Sequence, residues 1–306
     1  MRCKSALTRI DAARTGELPS IETAELLDHL RTCPSCDDSR HDLEGLATLA
    51  KQLRHRGLPS RPPRDRFGSF EWDGLTIFVV HSVHGVRQIM SRASSAADFL
   101  EHWSAHHPGL PLEHAPVPAN IREAIVSVLE GNEPAGIELD LSGLTKFEID
   151  VLSAIRKIPK GEVRPYRWVA AAVGRPKAIR AVGNVMARNP IPLILPCHRV
   201  VPNAGGIGNY GWGPEMKRRL LRAEGAPVEE LDRLAKDGLR FVGSRTTKIF
   251  CFPTCRDARR IRKENAAFFR DEAAAERAGY RACARCKPTG FVSRPVLRPA
   301  VGKPRA

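Results

Sequence analysis

The distribution of cysteines constrains this chain more than any other feature, because seven of its eight cysteines fall into two short clusters. The C-terminal cluster has the spacing C-x3-C, then 27 residues, then C-x2-C. Thiols at such spacings are typical of four-coordinate zinc sites, and disulfide bonds are disfavoured in a reducing compartment. The sequence therefore predicts a zinc module whose ligands are Cys251, Cys255, Cys283 and Cys286.

The second cluster lies near the N-terminus. Helical spacing places His29 and Cys33 on one face, and Cys36 follows at the helix end, with Cys3 as the fourth ligand. Two hypotheses stay open for it: a redox-labile zinc that gates a partner, and a small structural zinc or vestigial helical appendage. We favour the second, because a segment below ~40 residues commonly needs a metal to fold. One or two zinc ions and no organic cofactor are thus expected.

The charge of the chain is distributed unevenly. The 306 residues carry a formal charge of +15, and residues 151–235 have 15 basic and 6 acidic side chains while residues 236–306 have 18 and 6. Such a surface attracts phosphates by releasing counterions, so nucleic acid is the leading partner. An anionic membrane surface and mere solubility are the alternatives.

No apolar stretch approaches the ~18 residues that a membrane span needs. The first residues, MRCKSALTRIDAARTGE, lack the apolar centre of a secretory signal. We therefore expect a cytoplasmic protein with no membrane partner.

Two segments are expected to be disordered: the basic, proline-rich linker 54–66 and the tail 289–306, which has no acidic residue. After the linker, hydrophobic patterning predicts a hairpin, helices over 94–106 and 119–130, and a strand over 136–141. These elements indicate an acidic α+β unit.

The pattern then becomes helical. Thr145 and Glu148 form a capping box for a helix that ends at Ile158. Two shorter helices, over 166–173 and 177–188, are separated by a Gly-Arg-Pro turn. This is the layout of a helix-turn-helix.

Cys197 stands outside both clusters and is followed by His198. The run NPIPLILPCHRVV over 189–201 is an apolar, strand-like segment with three prolines, which would hold this thiol in place. A nucleophilic cysteine needs a base within hydrogen-bond reach, and a neighbouring histidine can supply it. On these residues alone a buried structural cysteine is favoured, since free cysteine is among the most buried residue types.

Four motifs change that balance: RAVGNVMARNPIP over 180–192, PCHRVV over 196–201, GNYGWG over 208–213 and LLRAEG over 220–225. With their surroundings over residues 67–226 they resemble the O6-alkylguanine-DNA alkyltransferase family. The resemblance implies a ribonuclease-H-like α+β subdomain followed by a helical, helix-turn-helix domain. It also implies irreversible transfer of an alkyl group from guanine O6, and from O4-methylthymine, onto the protein's own cysteine.

The same resemblance implies roles for individual residues. Cys197 would accept the methyl group, and His198 would act as a base through a water. Glu224 would orient the histidine, and Asn189 would brace the active-site turn. The residues implied to contact DNA or the rotated base are Tyr166, Arg180, Ala181, Gly183, Met186, Val200 and Tyr210. Rotation is required because guanine O6 lies within the base stack.

Small side chains on the second short helix support close contact with DNA without reference to the family. With Ala178, Ala181 and Gly183 the helix backbone could approach a narrow minor groove closely. The alternative is that these are packing positions, and on these residues alone that alternative is favoured.

Both zinc clusters carry resemblances of their own. Residues 245–288 resemble the zinc module of the bacterial adaptive-response family, which implies that Cys251 takes a methyl group from a DNA methylphosphotriester. A structural zinc that only adds DNA affinity is the alternative. The N-terminal cluster resembles the zinc-finger segment of anti-sigma factors, which implies a sigma-factor-like protein partner.

Together these observations predict a monomeric α+β multidomain protein that repairs double-stranded DNA carrying alkylated guanine, in the cytoplasm at the nucleoid. The alternative is an alkylation or redox sensor that regulates transcription through thiol modification or sigma-factor binding. The expected segments are a helical zinc module (1–53), a linker (54–66), the α+β subdomain (67–143), the catalytic DNA-binding domain (144–235), the second zinc module (236–288) and a basic tail (289–306).

Overall fold

A computed structural model describes residues 3–15, 18–42, 44, 65–91, 93–134 and 136–288. The chain is a mixed α+β protein with two compact units, one within Met1–Pro63 and one within Arg64–Ala306. Within the described ranges, no helix is both long and apolar enough to cross a membrane. The predicted disorder of the linker up to residue 64, and that of the tail 289–306, concern residues outside the described ranges.

The described residues of the first unit form three short helices. They are α1 (Cys3–Thr15), α2 (Ser20–Thr32) and α3 (34–42). Apolar residues three to four positions apart on α1 and α2 form one small core, which is how amphipathic helices pair. Its buried members are Ala6, Ile10, Leu26, Leu30 and Cys36.

The second unit begins with a four-stranded sheet in the order β3-β2-β1-β4. Its strands are β1 (Asp65–Trp72), β2 (Leu75–Ser82), β3 (Gly85–Met90) and β4 (Leu112–His114). The first three strands are antiparallel, and β4 runs parallel to β1. Asp73 and Gly74 both have positive φ (47° and 75°), as a tight turn between antiparallel strands requires.

Helices cover both faces of this sheet. They are α4 (Ala96–His106) and α5 (Ala119–Leu129). Because side chains alternate along a strand, Ile77 and Val79 of β2 join the core that includes α5, whereas Phe78 and Val80 pack with Phe99 of α4. Burial on both faces explains why β2 is a continuous apolar run.

Two sequence predictions for this region are wrong, one in a boundary and one in the type of element. The linker was predicted to extend to residue 66, but β1 already begins at Asp65, and its next residue, Arg66, pairs with His81 of β2. The strand predicted over 136–141 is reduced to one isolated bridge between Val86 and Leu139. At this bridge Val86 N–H donates to the Glu138 carbonyl and Asp140 N–H donates to the Val86 carbonyl, and the Asp140 carboxylate accepts from the backbone N–H and hydroxyl of Ser142.

A helical region follows. It comprises α6 (Lys146–Arg156), α7 (Tyr166–Ala172), α8 (Ile179–Ala187), α9 (Pro214–Ala223) and α10 (Val228–Lys236), with a short parallel pair of β5 (Arg164–Pro165) and β6 (Val200–Val201). The predicted capping box is present: the Thr145 hydroxyl accepts from Glu148 N–H, and the Glu148 carboxylate accepts from Thr145 N–H. Gly174, with φ of 71°, separates α7 from α8.

A second four-stranded sheet, in the order β10-β8-β7-β9, closes the described chain. Its elements are β7 (Phe241–Ser244), β8 (Ile249–Cys251), β9 (Ala266–Phe269), α11 (Glu272–Arg277) and β10 (Arg281–Ala282). Phe241 and Phe250 are fully buried and belong to the same continuous core as Val169 of α7. This sheet is therefore packed into the second unit.

Replacing Phe99 should test the core on the α4 face of the first sheet. Its ring is fully buried and lies 5.6 Å from the Phe67 ring and 4.9 Å from the Phe78 ring. Phe99→Ala is expected to lower the free energy of unfolding by about 3–5 kcal/mol, measured by urea denaturation. Leu100→Ala, at an exposed position of the same helix, is the control and should change stability by less than about 1 kcal/mol. Equal losses in the two variants would contradict this packing.

Candidate active site and metal centres

The segment that carries Cys197 is not the strand that its apolar sequence predicted. Residues 190–196 form turns, and a short 3₁₀ helix spans Cys197–Arg199. Three prolines remove backbone N–H groups that a strand would need, and Leu193 has φ of 76°. The rigidity predicted for this segment is present, but its backbone is a compact turn.

Asn189 ties this turn together through both ends of its amide. Its Oδ1 accepts from Ile191 N–H at 3.1 Å, and its Nδ2 donates to the Leu195 carbonyl at 2.8 Å. The same Nδ2 lies 3.0 Å from Cys197 Sγ and donates to it. Asn189 therefore fixes the position of the sulfur as well as the shape of the turn.

The Cys197 side chain lies almost entirely inside the protein, at 8% exposure. Burial raises the pKa of its thiol, because an anionic sulfur loses hydration there. The hydrogen bond from Asn189 and the positive charge of Lys217 oppose this effect. A thiolate formed at this place thus has two groups that stabilise it.

His198 is fully buried and bonded to a carboxylate. Its Nε2 donates to Glu224 Oε1 at 2.7 Å, which leaves Nδ1 as the acceptor of the neutral ring. Burial lowers the pKa of His198, although Glu224 partly offsets the effect. Nδ1 is buried and has no hydrogen-bond partner among the described residues. The ring is therefore held neutral with a basic nitrogen free to accept a proton.

Glu224 is held from three directions. Besides His198, the Arg199 guanidinium donates to both carboxylate oxygens at 2.9–3.1 Å, and Gly161 N–H donates to Oε2 at 3.1 Å. Burial alone would raise the pKa of Glu224, but His198 and Arg199 outweigh it and lower the pKa to about 2. The group is a fixed anion at neutral pH.

Lys217 and Arg199 are two residues of this site that sequence reasoning missed. The Lys217 side chain is buried, and its Nζ donates to the carbonyls of Val200 at 2.7 Å and Asn209 at 3.3 Å. Burial lowers the pKa of Lys217 to about 8. A signal was present, because Lys217 shares the inward face of α9 with Leu220, three positions along.

A cleft of about 690 Å³ opens beside the thiol. Its lining includes Cys197, Asn189, Met186, Tyr210 and Trp212. Burial raises the pKa of Tyr210 well above its ordinary value, and the neighbouring Cys197 adds to the effect. The cleft offers a mostly apolar space with the Cys197 side chain in its lining.

The remaining predicted contact residues fall into two groups. On α8, away from its buried side, lie Arg180, which is exposed, and Ala181 and Gly183; none of the three lines the cleft. A Cβ on Gly183 would meet nothing within 4 Å, so this part of the helix is open to a ligand. Val200 is fully buried, and Tyr166 is half-buried, with its pKa raised by burial.

The four C-terminal cysteines converge as predicted. Their sulfur atoms all lie within 4.8 Å of one another, and all four residues are buried. Zinc–sulfur bonds of about 2.3 Å place tetrahedral sulfurs about 3.8 Å apart, so the set fits one zinc ion. A cleft of about 660 Å³ lies beside this set. Its lining includes Cys251 and Cys283 together with four arginines: Arg260, Arg262, Arg281 and Arg285.

The N-terminal set converges too. One ligand atom each from Cys3, His29, Cys33 and Cys36 lies within 4.8 Å of the others. The buried Nε2 of His29 has no hydrogen-bond partner among the described residues, as fits a nitrogen that binds metal. This donor set suits zinc, and Cys3 takes the fourth position that spacing could only suggest.

Family comparisons agree with these sites. The description "6-O-methylguanine DNA methyltransferase, DNA binding domain" matches residues 146–226. "Metal binding domain of Ada" matches residues 228–289, and "Putative zinc-finger" matches residues 3–36. The two predicted zinc-binding modules are thereby confirmed.

Individual relatives cover parts of the chain. A methylated-DNA-protein-cysteine methyltransferase of Salmonella typhimurium is 38% identical over 120 residues, which are 39% of this chain and 70% of that protein. The Ada transcriptional activator and DNA repair enzyme of Escherichia coli is 43% identical over 105 residues, which are 34% of this chain and 29% of that protein. The crystal structure of Mycobacterium tuberculosis OGT in complex with DNA aligns with 54% of this chain and 98% of that one, at 27% identity and a TM-score of 0.44.

The chain therefore belongs to the methylated-DNA-protein-cysteine methyltransferase family, as the sequence motifs predicted. It spans 29% of the Escherichia coli Ada protein and 53% of the Ada regulatory protein of Salmonella typhimurium.

Glu224→Gln should flatten the dependence of stability on pH in acid. The native pKa of about 2 lies below the ordinary value of 4.5, so the stability that Glu224 contributes is present above 4.5 and is lost as the pH falls towards 2. Thermal unfolding midpoints measured from neutral pH down to about pH 3 should fall less steeply in the variant. Glu215→Gln, at an exposed position of α9, should keep the slope of the unaltered protein. Equal slopes for Glu224→Gln and the unaltered protein would contradict the assigned geometry.

Proposed function

We propose that this protein repairs alkylated DNA by moving a methyl group from guanine O6 to Sγ of Cys197. The observation that carries the proposal is the buried chain of contacts from Asn189 to Cys197 and from His198 to Glu224, at the end of a cleft. A buried thiol beside a neutral, oriented imidazole has the composition of an activated nucleophile. Membership of the family supports the same chemistry.

The reaction would begin with loss of the thiol proton. His198 Nδ1, which Glu224 leaves free as an acceptor, would take it through a water molecule. Asn189 and Lys217 would stabilise the thiolate. The sulfur would then attack the methyl carbon in line, so that an S–C bond forms as the C–O bond breaks. The C–O electron pair stays on the guanine, His198 gives the proton that it took from the thiol to the guanine, and the products are guanine and S-methylcysteine.

The cysteine is not regenerated in this scheme, so each molecule would react once. In-line attack requires the nucleotide to leave the stack, at a cost of a few kcal/mol. We propose that Arg180 enters the duplex from the exposed side of α8, with Ala181 and Gly183 against the minor groove. Tyr166 would assist rotation. The flipped base would contact Met186, Val200 and Tyr210, and O4-methylthymine would fit the same chemistry.

We also propose the finer architecture and setting. The strand order β3-β2-β1-β4 supports a ribonuclease-H-like subdomain over 67–143, and α7 with α8 supports a helix-turn-helix within 144–235. The zinc modules would span 1–53 and 236–288. The protein would act as a monomer in the cytoplasm, at the nucleoid, and its first unit would bind a sigma-factor-like partner.

A labelled duplex tests the main proposal. With radiolabelled methyl on guanine O6, the protein should retain one methyl per molecule, and peptide mapping should place it on Cys197. Cys197→Ala, which leaves no sulfur to alkylate, should retain none on that peptide while keeping its thermal unfolding midpoint. Digestion of the DNA should recover unmodified guanine, which a sensor without repair activity would not produce. A folded protein without label on Cys197 would refute the proposal.

The arginine-lined cleft favours a second activity, removal of methyl groups from DNA methylphosphotriesters by Cys251. Zinc bound by the four cysteines would keep the sulfur in thiolate form without a separate base. Cys251 Sγ would take the methyl carbon, and the C–O electron pair would stay on the phosphate oxygen. Two arginines of the cleft lining, Arg260 and Arg262, would hold the phosphate and its new charge. A purely structural zinc is the alternative.

A duplex with one labelled methylphosphotriester separates these alternatives. Label should map to the peptide that contains Cys251, and Arg262→Gln should slow its transfer about tenfold by removing a charge-assisted phosphate contact. Arg31→Gln, at an exposed position in the first unit, is the matched control and should leave the rate unchanged. An unlabelled Cys251 in zinc-loaded protein would show that this zinc site is structural.

A further inference from the structure

The segment 252–259 of the C-terminal zinc module, which we call the zinc loop, contacts the 161–163 turn of the alkyltransferase region. Thr254, which lies in this loop, is fully buried. Its hydroxyl oxygen accepts from Val163 N–H at 2.9 Å and lies 3.4 Å from the Val163 carbonyl, to which it can donate. One threonine of the zinc loop therefore satisfies both backbone groups of a residue 91 positions earlier in the chain.

A buried ion pair lies under this contact. Glu162 and Arg164, at 4% and 2% exposure, bond to each other, and Glu162 Oε1 also accepts from Arg256 N–H at 3.0 Å. The Arg164 guanidinium lies 5.6 Å from the Trp168 ring and 5.3 Å from the Phe252 ring. A buried charge needs nearby partners, and here the zinc module supplies one hydrogen bond to Glu162 through Arg256 and an aromatic ring against Arg164 through Phe252.

Two further bonds fasten the zinc module. Trp168 of α7 donates its indole N–H to the carbonyl of Cys286, the last zinc ligand, at 2.9 Å. Arg259, four residues after Cys255, donates to the Gly161 carbonyl. The two halves of the four-cysteine set are thus tied to α7 and to the turn that precedes it.

Gly161 links this interface to the reactive centre. Arg259 holds its carbonyl, and its N–H donates to Glu224 Oε2 at 3.1 Å. A Cβ at this position would lie 2.6 Å from the Glu224 carbonyl, and φ is 71°, so the peptide is closely fitted to its neighbours. The other Glu224 oxygen accepts from His198. A continuous path of hydrogen bonds therefore runs from the zinc loop to the histidine beside Cys197.

We propose that the C-terminal zinc loop is a positioning element for guanine alkyl transfer, with Thr254 and Arg259 as positioning residues that hold the 161–163 turn under Glu224. The inference rests on the proposed function at Cys197. It differs from a role in DNA affinity, because the loop acts on the carboxylate and histidine. Weakening the loop slows the chemical step even when DNA is fully bound.

Thr254→Val tests this inference, because valine keeps the shape of threonine and removes its hydroxyl. The first-order rate constant for methyl transfer at saturating duplex should fall about tenfold, the equivalent of one buried hydrogen bond, while the apparent Kd for DNA stays unchanged. Hydrogen exchange at the amides of Gly161 and Val163 should accelerate. Zinc content should stay that of the unaltered protein. Thr254→Ser, which restores the hydroxyl, should recover most of the rate.

Two other variants keep the result interpretable. Thr76→Val makes the same change on β2, where the hydroxyl bonds to Glu71, and should leave the rate constant unchanged. Arg259→Gln, at an exposed residue that folding tolerates, should reproduce both the slower rate and the faster exchange at Gly161. If Thr254→Val and Arg259→Gln keep the rate constant of the unaltered protein, or change only the Kd, the inference is wrong.

The exchange measurement also separates this inference from the proposed function. If the unaltered protein transfers no methyl group to Cys197, the proposed function fails, and exchange at Gly161 and Val163 still reports whether the zinc loop holds the turn. If transfer occurs and exchange in both variants matches that of the unaltered protein, the positioning role alone fails.

Discussion

The Glu224 carboxylate is the group on which the second unit depends. Its two oxygens accept from the His198 ring and the Arg199 guanidinium, which are neighbours in one 3₁₀ helix, and from the Gly161 amide, which lies in a different segment of the chain. An ionised carboxylate inside a protein is stable only with such a complete set of donors, and losing one leaves a buried charge unsatisfied. The orientation of the imidazole, and with it the environment of Cys197, therefore follows from how these segments pack.

Because Glu224 depends on the turn that contains Gly161, the C-terminal sheet has a structural role in addition to binding a metal. Its phenylalanines share one continuous core with α7, and its loops satisfy the polar atoms of the 161–164 turn. A module joined in this way cannot move independently without exposing the Glu162–Arg164 pair. The proposed reactions at Cys197 and Cys251 would therefore take place within one cooperatively folded unit. In such a unit, the contacts between the modules matter more than their order along the chain.

The sequence was a good guide wherever a local rule applied. Ligand spacing identified both metal sets, and the capping box at Thr145 marked the start of α6. It failed where tertiary contacts decide: the apolar run before Cys197 resembles a strand, but its prolines and Asn189 fold it into turns. Lys217 could have been found from its place on the inward face of α9, whereas no pattern in the sequence could show that Thr254 satisfies Val163, 91 residues away.

The close packing around Cys197 has a consequence for a molecule that has reacted. The sulfur sits in a turn that Asn189 holds to within hydrogen-bond distance, with the rest of the residue enclosed. Under the proposed reaction, the added methyl group would extend into the cleft beside the sulfur and weaken the hydrogen bond that Asn189 Nδ2 donates to Sγ. Such a hydrogen bond typically contributes about 0.5–1.5 kcal/mol to the stability of a fold. A copy methylated at Cys197 would then unfold more readily than an unmodified one.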